Sequence, residues 1–174
     1  MGKPLGVGIY SAALKKGKLD AEGYRAMIAS TTLLNRAGAE LSTLDGVRAI
    51  TDVTGFGLLG HALEIARGAK LNVQISLGQV PLLPGVEALA RLGLVTGASG
   101  RNWAAYGSQI DLDSSVDDLA RALLTDPQTS GGLLVSCQPE DVQRVLDVFG
   151  KHGCERAAVV GQTKAGKGRV EVLR

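Results

Sequence analysis

The chain alternates between strand-like and helical segments, and this alternation limits its fold more than any other feature. Short apolar or alternating runs predict strands at residues 7–12, 46–53, 71–76, 133–136, 157–162 and 169–173. Helical spacing predicts helices between them, at about 20–38, 58–67, 84–92, 115–124 and 139–152. The last two strands are expected to form a hairpin around 164–168, and this hairpin and the uneven spacings argue against a purely parallel sheet. We therefore predict an α+β fold, a mixed β-sheet packed with helices.

Local signals place the ends of several elements. Asp20 is expected to cap the first helix and Gly38 to stop it. Ser115 and Asp118 resemble a capping box for a later helix. The stretch 93–113 is rich in Gly, Ser and Asn and is predicted to be a long loop, a kind of segment that is usually functional or disordered.

Composition excludes several classes of protein. The 174 residues suit one domain, and 19 basic against 17 acidic residues leave a net charge of only +2. With 3% aromatic residues as well, neither a nucleic-acid partner nor a membrane partner is expected. No apolar run reaches the roughly 20 residues of a membrane span, and no signal-peptide pattern is present, so a cytoplasmic location is predicted.

The two cysteines are not spaced as a metal site. Cys137 and Cys154 form no CxxC pair, and His61 and His152 are not placed to complete a zinc site with them. We expect two thiols without a chemical role.

The segment 55–60 matches the GxGxxG pattern of dinucleotide-binding folds. Such a fold also needs an acidic residue at the end of the next strand to hold the ribose. That strand ends at 76–79, and no acid follows it before Glu87. A dinucleotide site is therefore disfavoured.

The segment 161–167 has the spacing of a Walker A loop, yet its context is wrong. Gly168 stands where the magnesium-binding Ser or Thr belongs, and too few residues follow for the phosphate-binding helix. A basic turn between strands explains these residues better.

The segment 50–61 combines a strand end, glycines and a helix start. Asp52 ends the strand as a candidate Mg²⁺ ligand, and Thr54, Gly55 and Gly57 form a loop that could face phosphate. The alternative is that Asp52 only caps the helix and the glycines only make a turn. The residues alone leave both open.

A second polar cluster, 125–132, lies between a helix and a buried strand. It holds five polar side chains and two glycines. Loops on rigid elements often carry function, but this composition is equally ordinary turn chemistry.

Taken together, several blocks of the sequence resemble the selenophosphate synthetase (selenide, water dikinase) family of the aminoimidazole ribonucleotide synthetase-like superfamily. A single block would be weak, whereas the ordered set is specific. The matching segments are 3–9, 34–37, 51–61, 97–102 and 126–134.

The resemblance implies that residues 1–174 form the C-terminal domain of a two-domain enzyme. That family makes selenophosphate, AMP and phosphate from ATP, selenide and water, and its N-terminal domain dimerises and supplies most of the ATP site. The family's catalytic Cys or selenocysteine, its Lys and two metal-binding Asp residues belong to that N-terminal domain and have no counterpart here. Asp52 is the one Mg²⁺ ligand carried over. The resemblance thus implies ATP, selenide, Mg²⁺, a partner N-terminal domain and a full-length homodimer, with this chain inactive alone.

Four further residues are weaker candidates for lining the same cleft: Arg101, Asn102, Gln128 and Thr129. A solvated arginine and loop caps would explain them as well. Two other functions stay open at this stage. One is a related synthetase acting on a purine precursor or a hydrogenase-maturation substrate, and the other is a stand-alone, non-catalytic binding module.

Overall fold

The computed structural model describes residues 1–174 as eight α-helices, six strands and three short 3-10 turns. The helices are α1 (Val7–Lys15), α2 (Ala21–Thr32), α3 (Ala37–Leu41), α4 (Gly57–Ala69), α5 (Val86–Arg91), α6 (Gly97–Tyr106), α7 (Asp118–Leu124) and α8 (Val142–Lys151). The strands are β1 (Val47–Asp52), β2 (Leu71–Ser76), β3 (Ile110–Leu112), β4 (Leu133–Cys137), β5 (Gly161–Ala165) and β6 (Val170–Leu173). The predicted α+β class is confirmed.

The strands form two sheets. β1 and β4 make an antiparallel pair, with Asp52 opposite Leu133. The other four strands lie in the order β3-β6-β2-β5, in which β2 is antiparallel to β5 and parallel to β6. The larger sheet is therefore mixed.

The predicted C-terminal hairpin is wrong, because β2 lies between β5 and β6. The four-residue connection 166–169 must span two strand spacings, roughly 10 Å, which extended residues can do. The Asn72 side chain at the start of β2 holds this connection by accepting from the amides of Lys167 (2.8 Å) and Arg169 (3.2 Å). Both strands thereby pair with β2 instead of with each other.

The main core lies between α4 and the four-stranded sheet. β2 alternates as predicted, with Val73 and Ile75 buried on one side, and they pack with Leu59 and Leu63 of α4. Burying each such side chain stabilises the fold by about 1.5–3 kcal/mol. This packing fixes where the first turn of α4 lies.

Two smaller cores complete the interior. One joins α1, α2, α5 and α7, and the other joins α3 and α8 to β4. Leu134 of β4 belongs to the main core while its neighbour Leu133 belongs to the α3–α8 core. Because both faces of β4 are covered, the strand begins with consecutive apolar residues, at 133–135, and does not alternate between apolar and polar ones.

The segment 7–12, predicted to be a strand, is the start of helix α1. A short apolar run containing Val7 and Ile9 fits either structure. The helix is selected by distant side chains: Gln128 Oε1 accepts from the amide of Val7 (3.2 Å), and Asp126 Oδ2 accepts from those of Gly8 (3.0 Å) and Ile9 (3.3 Å).

The predicted loop at 93–113 is also wrong, since it contains α6 and β3. Thr96 caps α6 by accepting from the amide of Ser99. Ser99 and Asn102 are buried and hydrogen-bonded to the 125 region, so these polar residues are interior ones. This segment therefore has a composition typical of loops although it forms a packed helix.

Helix ends were predicted with mixed success. Asp20 caps α2 by accepting from the amide of Gly23 (2.7 Å), as expected, but α2 ends at Thr32 and Gly38 lies inside α3. The cap of α7 is Asp117, and not Ser115.

None of the eight helices is both long enough and apolar enough to span a lipid bilayer.

Candidate functional site

Asp52 is the last residue of β1 and its side chain is exposed. The one side-chain hydrogen bond that reaches the residue comes from Thr51 Oγ1 to the backbone carbonyl (3.2 Å), so the carboxylate has no partner within the chain. Helix α4 has Phe56 at its N-cap and no side-chain cap. The capping interpretation of Asp52 is therefore wrong, and the carboxylate is free to bind a ligand.

Residues 52–56, which we call the open loop, are held in place by hydrogen bonds that their carbonyl groups accept from other parts of the fold. The Thr54 carbonyl accepts from the amide of Gln128 (2.9 Å), the Gly55 carbonyl from Asn102 Nδ2 (2.9 Å) and the Phe56 carbonyl from the Tyr106 hydroxyl (2.6 Å). Three successive carbonyl oxygens are thus satisfied by the scaffold, which fixes the backbone.

Three consecutive amides of the open loop are unused. The N–H groups of Thr54, Gly55 and Phe56 donate no hydrogen bond within the chain. They lie at the N-terminus of α4, a helix of 13 residues, where the helix dipole favours negative charge. Free amides at such an end form an anion-binding site.

The glycines of this segment have different roles. A Cβ at Gly55 would meet no atom within 4 Å, so this residue borders open space. Gly57 is buried with φ +70, and a Cβ there would lie 2.7 Å from the Thr125 carbonyl carbon. Gly57 is therefore required for the backbone turn and for packing, whereas Thr54 and Gly55 border the open side.

A hydrogen-bonded series that the sequence reasoning missed leads away from Thr54. Thr54 Oγ1 lies 3.2 Å from His61 Nε2, and His61 Nδ1 lies 3.0 Å from Glu64 Oε2. The spacing of His61 and Glu64, three residues apart on a helix, was a signal that could have linked them.

Residues 125–132, which we call the capping loop, bury three of their five polar side chains, those of Thr125, Asp126 and Gln128. Asp126 is 1% exposed, and its Oδ2 accepts from Gln128 Nε2 (2.9 Å) as well as from two amides of α1. Its Oδ1 is buried without a partner. Burial raises the pKa of Asp126 to about 7, although the hydrogen bonds from Gln128, Ile9 and Gly8 act in the opposite direction.

Lys3 ties the capping loop to the end of α2. Its buried ammonium group donates to the carbonyls of Ser30 (3.2 Å), Leu33 (2.6 Å) and Ser130 (2.7 Å). Burial lowers the pKa of Lys3. No local pattern in the sequence indicates this role, because the three carbonyls lie 27, 30 and 127 residues from Lys3 along the chain.

The four weaker candidates divide into two pairs. Asn102 and Gln128 are buried and support the open loop and α1 through their amide groups. Arg101 and Thr129 are exposed. The structure therefore gives two of the four a supporting role inside the fold.

The chain contains no group of three or more His, Cys, Asp or Glu side chains arranged to hold a metal ion. Asp52 offers one carboxylate, which fits part of the coordination shell of a hard cation such as Mg²⁺. Further carboxylates or phosphate oxygens would have to complete the shell.

An apolar cavity of about 390 Å³ lies away from this site, between β4, α8 and β5. Leu134, Val145, Phe149 and Val160 are among its lining residues, and none of residues 52–60 borders it. The cavity is not part of the candidate site.

The cysteines show no activated chemistry. Cys137 is half-buried and Cys154 buried, and both are free. Burial raises the pKa of each thiol, which disfavours the reactive thiolate.

Both rejected nucleotide motifs lack the structural context that they need. The strands on either side of α4 lie in different sheets, so the GxGxxG segment is not part of a parallel βαβ unit. The Walker-like segment 161–167 forms the edge strand β5 and the connection to β6, with no helix after it.

The chain is similar to known proteins over nearly its whole length. Residues 2–173 match the family described as AIR synthase related protein, C-terminal domain. Proteins named selenide, water dikinase from Pseudomonas straminea and Paraburkholderia xenovorans are each 62% identical to 99% of this chain. The chain covers 48% and 49% of those proteins, so it spans about half the length of the curated relatives it matches. The resemblance inferred from separate blocks thus extends over the whole chain.

Solved structures share the fold at low sequence identity. HypE from Escherichia coli aligns with 98% of this chain at a TM-score of 0.70 and 20% identity, with 44% of HypE covered. Another HypE structure, described as a complex with ATP, aligns with 98% of the chain at a TM-score of 0.61 and 19% identity, with 45% of that protein covered. Thiamine-monophosphate kinase from Stenotrophomonas maltophilia aligns with 98% of the chain at a TM-score of 0.62 and 14% identity, with 48% of the kinase covered. These structures show a shared fold, and the match over residues 2–173 shows that the chain belongs to the family described as AIR synthase related protein, C-terminal domain.

Proposed function

We propose that this chain is the C-terminal half of a selenide, water dikinase, an enzyme that converts ATP, selenide and water to selenophosphate, AMP and phosphate. The observation that carries the proposal is the 62% identity to proteins of that name over 99% of the chain. The related hydrogenase-maturation alternative is less well supported, because HypE shares only 20% of its residues with this chain. A cytoplasmic location stays a prediction from the sequence.

The role we propose for this half is to hold one side of a magnesium-bound polyphosphate. The exposed, unpartnered Asp52 carboxylate is the proposed ligand for Mg²⁺. The free amides of Thr54, Gly55 and Phe56 would donate to phosphate oxygens at the start of α4. When bound, Mg²⁺ would offset the negative charge on the transferring phosphoryl groups.

The residues that support the open loop keep its amides in fixed positions, so that their contribution to phosphate binding is electrostatic. Asn102, Tyr106 and the backbone of Gln128 hold the loop carbonyls, so the amides keep their direction without a ligand. Donors fixed in advance cost little reorganisation when charge develops in the reaction. ATP as the nucleotide is supported by the ATP complex of a HypE with the same fold.

The rest of the site is proposed to come from a partner N-terminal domain. The family resemblance assigns the nucleophilic Cys or selenocysteine, a Lys and two more Asp ligands to that domain, which is also the part expected to dimerise. The chain on its own offers one carboxylate and no metal-binding cluster. We therefore propose that it is inactive alone.

A chimeric enzyme tests the proposal. The N-terminal half of the Pseudomonas straminea relative would be joined to this chain, and products would be followed by ³¹P NMR with ATP, Mg²⁺ and selenide. We expect AMP, phosphate and selenophosphate in equal amounts from the chimera and none from this chain alone. A folded chimera that forms no selenophosphate would count against the enzyme and would favour a stand-alone binding module.

A further inference from the structure

The hydrogen-bonded series Glu64–His61–Thr54 links an exposed carboxylate to the open loop through a buried imidazole. His61 is 6% exposed, and the Phe56 ring lies against it, with ring centroids 5.9 Å apart. Thr54 Oγ1 is 3.2 Å from Nε2 of the imidazole, and Glu64 Oε2 is 3.0 Å from Nδ1. A carboxylate and a hydroxyl therefore contact opposite nitrogens of one buried ring.

The carboxylate decides which nitrogen carries the hydrogen. An ionised Glu64 can only accept, so the hydrogen bond at 3.0 Å requires a hydrogen on His61 Nδ1. In the neutral imidazole Nε2 is then bare and accepts a hydrogen bond. The Thr54 hydroxyl must be the donor to Nε2, and its single hydrogen is used in this contact.

A hydroxyl whose hydrogen is engaged can offer only oxygen lone pairs to a ligand. Phosphate oxygens need donors, whereas Mg²⁺ needs oxygen ligands. The neighbouring amides of the open loop are donors only. The loop therefore presents two kinds of group, with amides suited to phosphate and the Thr54 oxygen suited to a cation.

The position of Thr54 is suited to binding the same cation as Asp52. The two residues alternate around buried Val53, while Asp52 is exposed and Thr54 half-buried. Val53 continues the pairing beyond β1, because its amide donates to the Gly132 carbonyl (2.8 Å), and residues on either side of an extended residue lie on the same side. We infer that His61, held by Glu64, makes the Thr54 hydroxyl a second cation ligand beside Asp52 and not the phosphate contact predicted from the sequence. This inference rests on the proposed function only for the identity of the cation, Mg²⁺.

The hydrogen position is tested on this chain without any ligand. The chain has two histidines, and His152 is the internal control because its Nε2, not Nδ1, lies 2.9 Å from Glu40 Oε2. At about pH 8, where an ordinary histidine is neutral, ring ¹⁵N NMR should show hydrogen on Nδ1 of His61 and on Nε2 of His152. Hydrogen on Nε2 of His61 would overturn the inference.

The cation role is tested with Mn²⁺ as the probe. Mn²⁺ should broaden the amide signals of residues 52–55 in the unaltered chain and in Thr54→Ser, which keeps the hydroxyl. Thr54→Val, similar in shape, should bind Mn²⁺ roughly tenfold more weakly, in the range seen when residues that support a metal site are changed. Glu64→Ala, a half-exposed position, should also weaken binding while His61 loses its fixed hydrogen position.

Each result separates the inference from the proposed function. Unchanged Mn²⁺ affinity in Thr54→Val, with loss of affinity in Asp52→Asn, would overturn the Thr54 role and leave Asp52 as the ligand. Weaker binding of inorganic phosphate in Thr54→Val, with Mn²⁺ binding intact, would restore the phosphate contact and also overturn it. No localised broadening in the unaltered chain would contradict the cation role of both residues.

Discussion

The open loop and the capping loop have similar compositions but opposite arrangements. Both follow a helix or strand directly and contain Gly, Thr and Asp. In the capping loop, Asp126 and Gln128 point inward and satisfy the first amides of α1. In the open loop the carbonyls are satisfied, while three amides and the Asp52 carboxylate are not. Function is therefore better indicated by which polar groups are left without partners than by how many are present.

The largest effect that this comparison predicts is on stability, in the capping loop. Lys3→Met would leave three partly buried carbonyls without their donor and should lower the free energy of unfolding by about 3 kcal/mol. Lys18→Met, at an exposed position, is the matched control and should change it by less than about 0.5 kcal/mol. Urea denaturation measures both. Equal stability of the two variants would mean that the capping loop does not depend on its internal contacts.

A pair of glycine variants tests where the open loop ends. Gly57→Ala forces a side chain into a left-handed conformation against the Thr125 backbone and should cost about 2–3 kcal/mol. Gly55→Ala places its methyl group in open space and should stay within about 0.5 kcal/mol of the unaltered chain. Thermal unfolding compares them. A large loss in Gly55→Ala would show that the loop is packed and not open.

A smaller effect is expected from the titration of Asp126. Its pKa is about 7 in the folded chain, because of burial, and 3.8 is the ordinary value that the unfolded chain should show. The folded chain therefore binds more protons between these values, and this contribution to stability is complete below about pH 4 and lost as the pH rises through about 7. We expect the unaltered chain to lose about 2 kcal/mol relative to Asp126→Asn between about pH 5 and pH 8. Parallel pH profiles of the two proteins would contradict this.

The smallest effect concerns ATP on the chain alone. A single carboxylate binds Mg²⁺ weakly, so ATP with Mg²⁺ should raise the melting temperature by less than about 1 °C. Differential scanning fluorimetry over a range of ATP concentrations measures the shift, with EDTA as the control. A shift of several degrees would show that the open loop and Asp52 already form most of the nucleotide site.

How much the sequence predicted depends on how local each determinant is. Strand β2 was predicted with its observed bounds because Val73 and Ile75 alternate with polar residues, which is a local pattern. Helix α1 was missed because the groups that cap it, Asp126 and Gln128, lie more than a hundred residues away. The insertion of β2 between β5 and β6 is likewise a long-range pairing.

The residues of the candidate site show the same difference between local and long-range determinants. Asp52 was predicted as a ligand from a strand end followed by glycines and a helix start, all within one segment, and it stays a prediction. Two features were not predictable in this way: the support of the open loop by Asn102, from a helix mistaken for a loop, and the contact of His61 with Thr54. Both depend on tertiary packing, which the spacing of residues along the chain does not specify.

The most direct test of the proposed role of Asp52 compares two variants of the chimeric enzyme. One changes Asp52, at the end of β1, and the other changes Asp45, which precedes β1. Asp52→Asn keeps the shape of the side chain and removes its charge, whereas Asp45→Asn changes an exposed acid in the turn before β1, at the opposite end of that strand. We expect Asp52→Asn to lower the rate of AMP formation by about a hundredfold or more, as loss of an electrostatic group at a reacting centre does, with an unchanged melting temperature. Asp45→Asn should retain the full rate. Full activity in Asp52→Asn would contradict the central claim that this carboxylate holds the magnesium-bound phosphate.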